Sequence, residues 1–386
     1  WVLAVVVLGI GVVGLPVVTG RLRAAVDPRG ELCPAPGGMH VLHLAFEDPE
    51  MPGSGGGAKR TAEIDRRLAA AGHRLTVVVQ GFPDARDRTE YLGDGVLRWV
   101  HLGRGTHRLT RLLAYIAHLP FVVRGVEADV VVEDFFAPIS SVSVPRWSPA
   151  PTVGIVQWLN AREKSRQYRL PLHLVERAGV RRHHRLVAVS EGTAEKLRGL
   201  NPAARVDVVG NGVDTALLEA PTTVGRDVVF LGRLELEGKG LDLLLRAWQR
   251  VGDRVGGELL IAGGGPEEPR VRRFAEELGV RGVRFLGWRD GPEKAALLAG
   301  ARLVVVPSRH ETFGMVAVEA LATGTPVVAF DIPCLREVVR QEAGVLVPFL
   351  GDHGADVTAY LDHFPRRLLT DALLEATAAY WLRRAE

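Results

Sequence analysis

Two glutamates eight residues apart, Glu311 and Glu319, and two cations six apart, Arg233 and Lys239, are the residues whose types and spacing could do chemistry. Between the glutamates, Thr312, Phe313, Gly314 and Met315 lead into an apolar run, M-V-A-V-E-A-L-A, which predicts a short helix over 315–322. The first amides of such a helix have no partner within it. With the helix dipole they form an anion site suited to a phosphate. Two carboxylates beside that site would repel an anion, so they need another task. Carboxylates accept hydrogen bonds from hydroxyls, and a nucleotide sugar carries hydroxyls on both its sugar and its ribose. Arg233 and Lys239 flank a turn between a strand at 228–231 and a helix starting near Gly240. Arg offers a planar fork and Lys a point charge, and the two together suit a diphosphate; the alternative is a pair of solvated surface charges. A glycine run, Gly55, Gly56 and Gly57, stands between the first strand and the first helix, where backbone can approach a ligand closely. It is not G-x-G-x-x-G, so no dinucleotide cofactor is indicated, and a plain flexible loop is the competing reading.

These residues need a scaffold, and from Met39 onward the pattern alternates strand and helix. Strands are expected at 40–44, 97–101, 129–132, 152–156, 186–189 and 206–209, with another after the G-H-R-L turn at 72–75. Asn211-Gly212-Val213-Asp214 and a linker over 215–226 follow. A second set opens at 228–231 and runs through E-L-L-I-A-G-G-G-P, with Gly264 in its turn, and V-R-F-L-G-W to strands at 303–306 and 327–329. Tight βαβ spacing predicts parallel sheets. The expected domains are residues 39–216 and 217–364, followed by a helix over 365–386 that is apolar on one side. Residues 1–38 differ from the rest: an apolar stretch over 1–18, then a Pro/Gly-rich linker. A membrane anchor, an uncleaved export segment and a start assigned too far upstream of Met39 compete there, and the last is preferred because no basic n-region or cleavage site is seen.

The sequence Glu311-x7-Glu319, continuing Ala320-Leu321-Ala322-x-Gly324-x-Pro326-Val327-Val328, resembles the family 4 retaining glycosyltransferases. The Arg233/Lys239 pair, Asn211-Gly212-Val213-Asp214 and the glycine loop fall in the family's order. The resemblance implies an α/β GT-B fold, with two Rossmann-like domains facing across a cleft and a C-terminal helix crossing back to the first. It implies a hexosyl- or glycosyltransferase moving a sugar from a UDP- or GDP-sugar to an acceptor hydroxyl with retention, in cell-envelope, glycolipid or polysaccharide synthesis. Arg233 and Lys239 would hold the donor's phosphates, with Gly232, Gly264 and the 312–315 amides lining the site. Glu319 would hold the ribose and Glu311 the donor sugar. Gly55, Gly56 and Gly57 would face the donor phosphates. Glu133 and Asp134 lie at a strand's carboxyl end, where an acceptor is expected; a helix cap or a salt bridge is the competing reading. Many relatives place a histidine near residue 157; here Gln157 stands instead.

No D-x-D occurs in the second domain to hold a divalent metal, so neither metal nor cofactor is expected beyond the donor substrate. Three other readings share parts of this pattern: a sugar-nucleotide epimerase, a glycan phosphorylase with lysine-bound pyridoxal phosphate, and a non-catalytic nucleotide-sugar-binding protein. The two cysteines, Cys33 and Cys334, lack metal spacing and point to reduced thiols in the cytoplasm. Residues 39–210 hold 24 Lys/Arg against 18 Asp/Glu, and residues 211–386 hold 21 against 25. The basic first domain, with its arginine-rich 161–185 stretch, is therefore the one to meet an anionic lipid-linked or carbohydrate acceptor, or the inner membrane face. A solvated amphipathic helix is the plainer reading of that stretch. Paired exposed aromatics are missing from it, which argues against nucleic acid.

Overall fold

The computed structural model describes residues 37–347, apart from 52–53, 55, 104–106, 136–143, 160, 162–164, 166–168, 222, 224 and 341. Residues 1–36 of the expected 1–38 extension and the helix at 365–386 lie outside the described residues. The chain divides between Gly210 and Asn211 into two compact units. The division falls ahead of residue 216 because Val213 and Leu217 pack into the second unit's core.

In the first unit the elements are β1 (His40–Phe46), α1 (Gly56–Ala70), β2 (Arg74–Gln80), β3 (Arg88–Leu92), β4 (Gly95–Leu102), α2 (Arg108–Gly125), β5 (Val130–Asp134), α3 (Val144–Trp147), β6 (Thr152–Val156), α4 (Leu172–Arg182), β7 (Arg185–Ala188), α5 (Glu191–Leu200) and β8 (Arg205–Val208). The strand order is β3-β4-β2-β1-β5-β6-β7-β8. The strands pair in parallel except β3 with β4, which is antiparallel. β1 is buried along nearly its whole length, as a central parallel strand flanked by helices must be. One face of the sheet packs Leu42 and Leu44 against Tyr115, Leu119 and Val122 of α2. The other packs Val41, Val77 and Val79 against Ala62 and Ala69 of α1.

The second unit contains β9 (Val228–Leu231), α6 (Leu241–Val255), β10 (Leu259–Ala262), α7 (Glu268–Glu277), β11 (Val283–Gly287), α8 (Gly291–Ala299), β12 (Leu303–Val306), α9 (Met315–Ala322), β13 (Val327–Phe330), α10 (Pro333–Val338) and β14 (Gly344–Val347). Its sheet is parallel in the order β11-β10-β9-β12-β13-β14. The chain starts in the middle, winds outward one way, then returns to wind the other way from β12. The loops after β9 and β12 therefore diverge and leave a crevice at the strands' carboxyl ends, the switch point where such sheets bind ligands. In the first unit the same reversal falls between β1 and β5.

Candidate functional site

In the second unit the loops at the switch point carry the residues with which the sequence reading began. Two close backbone approaches shape them. A Cβ on Gly263 (φ +139°) would lie 1.7 Å from the Gly232 carbonyl oxygen, and one on Gly240 (φ +69°) would lie 1.9 Å from that of Pro307. Only glycine permits either approach. The first joins the β9 and β10 turns, where the Gly232 and Leu234 amides donate to the Ala262 and Gly264 carbonyls at 3.0 Å. The second lays the β9 loop on the β12 loop. Arg309 fastens that contact with a two-pronged bond to Asp242 (2.8 and 2.9 Å) and a third to the Glu237 carbonyl at 2.6 Å.

This packing brings Lys239 Nζ to 2.6 Å from Glu311 Oε1, with both side chains largely buried. Glu319, on the second turn of α9, accepts from Lys294 Nζ on α8 at 2.9 Å. Each glutamate thus has one lysine, and Lys294 is a site residue that the sequence reading missed. Arg233 is 60% exposed and, among the described residues, its side chain reaches Glu235 at 3.3 Å, which leaves it at the rim. The amides of Phe313, Gly314 and Met315 have no hydrogen-bond partner among the described residues. Gly314 caps α9 in the left-handed region (φ +86°), and a Cβ there would meet Leu335 Cδ2 at 2.4 Å. The Cys334 thiol donates to the Glu311 carbonyl at 3.2 Å. Burial, with the Glu311 charge adding, pushes that thiol up to about 12, so it is an inert donor. The arrangement is a cradle of backbone N–H groups, flanked by two lysine–glutamate pairs and an exposed arginine.

In the first unit Gly56 and Gly57 open α1, and Gly55 lies outside the described residues. A Cβ on Gly57 would lie 3.0 Å from Gln157 Oε1, so Gln157 sits directly over the start of this helix. Asp134 accepts from Thr61 Oγ1 at 2.7 Å and from Gln157 Nε2 at 3.4 Å. Glu133 requires a correction. It is 0% exposed and bonds His183 Nε2 at 3.0 Å, so it is a buried ion-pair residue and presents no carboxylate to an acceptor. Strand alternation is the reason: neighbours on β5 face opposite sides, and only Asp134 reaches the end where α1 begins. Beneath Asp134, His43 Nδ1 is 2.8 Å from Asp65 Oδ1, and its Nε2 stands 3.7 Å from Asp134 Oδ1. Burial alone would lower the His43 pKa, but the Asp65 charge and the two carboxylates' hydrogen bonds outweigh it and raise the group to about 10. Neither His43 nor Asp65 stood out in the sequence.

Residues 54–217 match the family model Glycosyltransferase Family 4, and residues 225–361 match Glycosyl transferases group 1. The chain belongs to glycosyltransferase family 4. The glycogen synthase of Mycobacterium tuberculosis is 29% identical to this transferase over 348 residues, 80% of this chain and 82% of that one. Relatives of higher identity, 35–40%, align over 30–50% of their own length. Among solved structures, sucrose-phosphate synthase from Thermosynechococcus elongatus superposes with a TM-score of 0.67 at 20% identity, covering 88% of this chain and 92% of that one. HepE from Anabaena, solved in complex with UDP-glucose, gives 0.62 at 19% identity over 89% and 93%. The transferase therefore has the two-domain α/β GT-B fold that its sequence implied. Among its described residues, no helix is long and apolar enough to cross a membrane.

Proposed function

We propose that the transferase moves a sugar from a nucleoside diphosphate sugar to an acceptor hydroxyl with retention at the anomeric carbon, without a divalent metal. The observation that carries this reading is the set of unpartnered amides at the α9 N-terminus, flanked by Lys239–Glu311 and Lys294–Glu319. As the sugar leaves, charge grows on the departing diphosphate. The Phe313, Gly314 and Met315 amides and Lys239 stabilise it, with Arg233 closing from the rim, and their cationic charge stands where other transferases use a metal. Removing one such donor typically costs about 3–4 kcal/mol of transition-state stabilisation. Glu319, steadied by Lys294, accepts from the ribose hydroxyls. Glu311 accepts from the sugar hydroxyls and fixes the reacting carbon. Lys239 then turns from Glu311 to phosphate.

The binding of UDP-glucose by HepE supports a UDP-sugar donor, and GDP-sugars are the alternative. Similarity to a glycogen synthase over most of the chain supports a carbohydrate acceptor, in polysaccharide, glycolipid or cell-envelope synthesis. Basic residues over 161–185 support lipid-linked acceptors at a cytoplasmic membrane face. The test is proton NMR of the product formed from an α-linked donor, with and without chelator. An α-linked product at an unchanged rate is expected. A β-linked product refutes retention, and loss of rate refutes the metal-free reading.

A further inference from the structure

The second unit has a cavity that nothing above employs. It measures about 410 Å³, a size typical of small-ligand sites, and is walled by α6, α7 and the loop after β9. Buried Leu236 and the ring of half-buried Phe274 give it an apolar side. Helical spacing brings charge to the rest. Asp242 and Arg246 stand one turn apart on α6, and Arg270, Arg273 and Glu277 recur on one face of α7. Two of these three arginines lack a carboxylate. Arg309 takes both oxygens of Asp242, and Arg246 lies instead over the Phe274 ring, 5.1 Å from its centre. Among the described residues, the side chains of Arg246, Arg273 and Glu277 make no ion pair or hydrogen bond. Arg270 is divided between Glu237 at 3.1 Å and Glu267 at 3.5 Å, exposed contacts that contribute little.

The cavity thus offers guanidinium forks, a free carboxylate and an aromatic face together. A phosphate accepts from the forks two bonds at a time. Sugar hydroxyls donate to Glu277, and the C–H face of a sugar ring covers Phe274. The cavity wall also holds the donor cradle in place. Asp242 and the Glu237 carbonyl are the groups that Arg309 grips to lay the loop after β9 on the loop after β12, and that loop carries Lys239 to Glu311. A ligand bridging α6, α7 and this loop favours the arrangement in which the cradle is assembled. We propose that the cavity is an effector site for a sugar phosphate, and that its occupation strengthens donor binding. The effect on the donor rests on the function proposed above, whereas the site itself rests on the cavity's own residues.

The test is a calorimetric titration of glucose 6-phosphate into the full chain saturated with UDP, which fills the donor cradle, and into its Arg246→Gln/Arg273→Gln variant. Both arginines are exposed and stand outside the donor site, so the variant should melt with the wild type and keep its basal transferase rate. Saturable binding is expected in the wild type, weakened about tenfold or more in the variant as charge-assisted bonds are lost. Inorganic phosphate should bind more weakly than glucose 6-phosphate, and glucose not measurably. No saturable binding, or equal affinity in the variant, overturns the proposal. Phosphate binding as tightly as glucose 6-phosphate overturns the assignment to a sugar phosphate. A UDP titration with and without glucose 6-phosphate reads the coupling: in the wild type UDP should bind about fivefold or more tightly with it, and in the variant equally with and without. Unchanged UDP affinity in the wild type overturns the effector role. If UDP itself fails to bind, the donor reading falls, and the same titration of the UDP-free chain and its variant still decides the site.

Discussion

Replacing Gly314 by alanine should damage the donor cradle in a way the structure lets one separate into two parts. The first is backbone: at φ +86° a Cβ costs about 1–2 kcal/mol. The second is collision. The new methyl would sit 2.4 Å from Leu335 Cδ2, where carbon atoms prefer about 3.5–4.0 Å. Leu335 is fully buried in the second unit's core and cannot swing clear, so overpacking adds about 1–3 kcal/mol. Gly256, at the end of α6, supplies the control: its φ is +72° but a Cβ there meets nothing within 4 Å. Gly256→Ala should therefore carry only the backbone part. At roughly 2–4 °C per kcal/mol for a domain of this size, Gly314→Ala should melt about 2–12 °C below Gly256→Ala. It should also weaken UDP binding, because relief of the clash moves the α9 amides, whereas Gly256→Ala should not. Scanning calorimetry and a UDP titration on both variants check this. Equal melting temperatures and equal UDP affinities would refute the view that Leu335 and Gly314 jointly fix the cradle.

Other expectations concern the ion pairs. Lys294→Met leaves the Glu319 carboxylate half-buried and alone, so it should lower stability by about 1 kcal/mol and weaken UDP binding less than loss of Glu319 itself; urea unfolding and calorimetry measure the two effects. Asp48 is buried and accepts from Arg88 at 2.6 and 3.1 Å and from His101 at 2.8 Å, pinning the loop after β1 to the β3–β4 edge. Asp48→Asn should destabilise the first unit by about 3 kcal/mol or more, read as a shift in its urea midpoint. The raised pKa of His43 sets a pH signature. Its protonated form bonds Asp65, so its contribution is complete below about pH 6.5, the unfolded value, and is lost as pH rises through about 10. The melting temperature should thus fall between pH 7 and pH 10 more in the wild type than in His43→Gln, and equal falls would contradict the assignment.

The second unit was legible because its signals are local. The run around Glu311 and Glu319 carries its strand, turn and helix in one stretch, and α9 spans the residues expected, Met315–Ala322. The strand at 228–231 and the turn bearing Arg233 and Lys239 are equally compact. What escaped depends on the sheet order. Lys294 is an ordinary helix lysine until β11 and β12 place α8 beside α9. His43 reads as part of a buried strand, and its partner Asp65 lies on a helix whose face only packing decides. β3 was missed because R-T-E-Y-L is half polar: it is an antiparallel edge strand with one solvated face, joined to β4 through Gly93 at φ +58°. Glu133 and Asp134 show the opposite case. Their adjacency on a strand already implied opposite faces, and the period of two separates the buried ion pair from the residue at the sheet's end.

The central claim is that the glutamate on α9 holds the ribose of a nucleoside diphosphate. A calorimetric titration of UDP into the wild type and Glu319→Ala tests it most directly. Hydrogen bonds from hydroxyls to a carboxylate contribute about 1.5–3 kcal/mol, so the variant should bind UDP about 10- to 150-fold more weakly with its fold intact. Unchanged UDP affinity in a folded Glu319→Ala protein would contradict the claim.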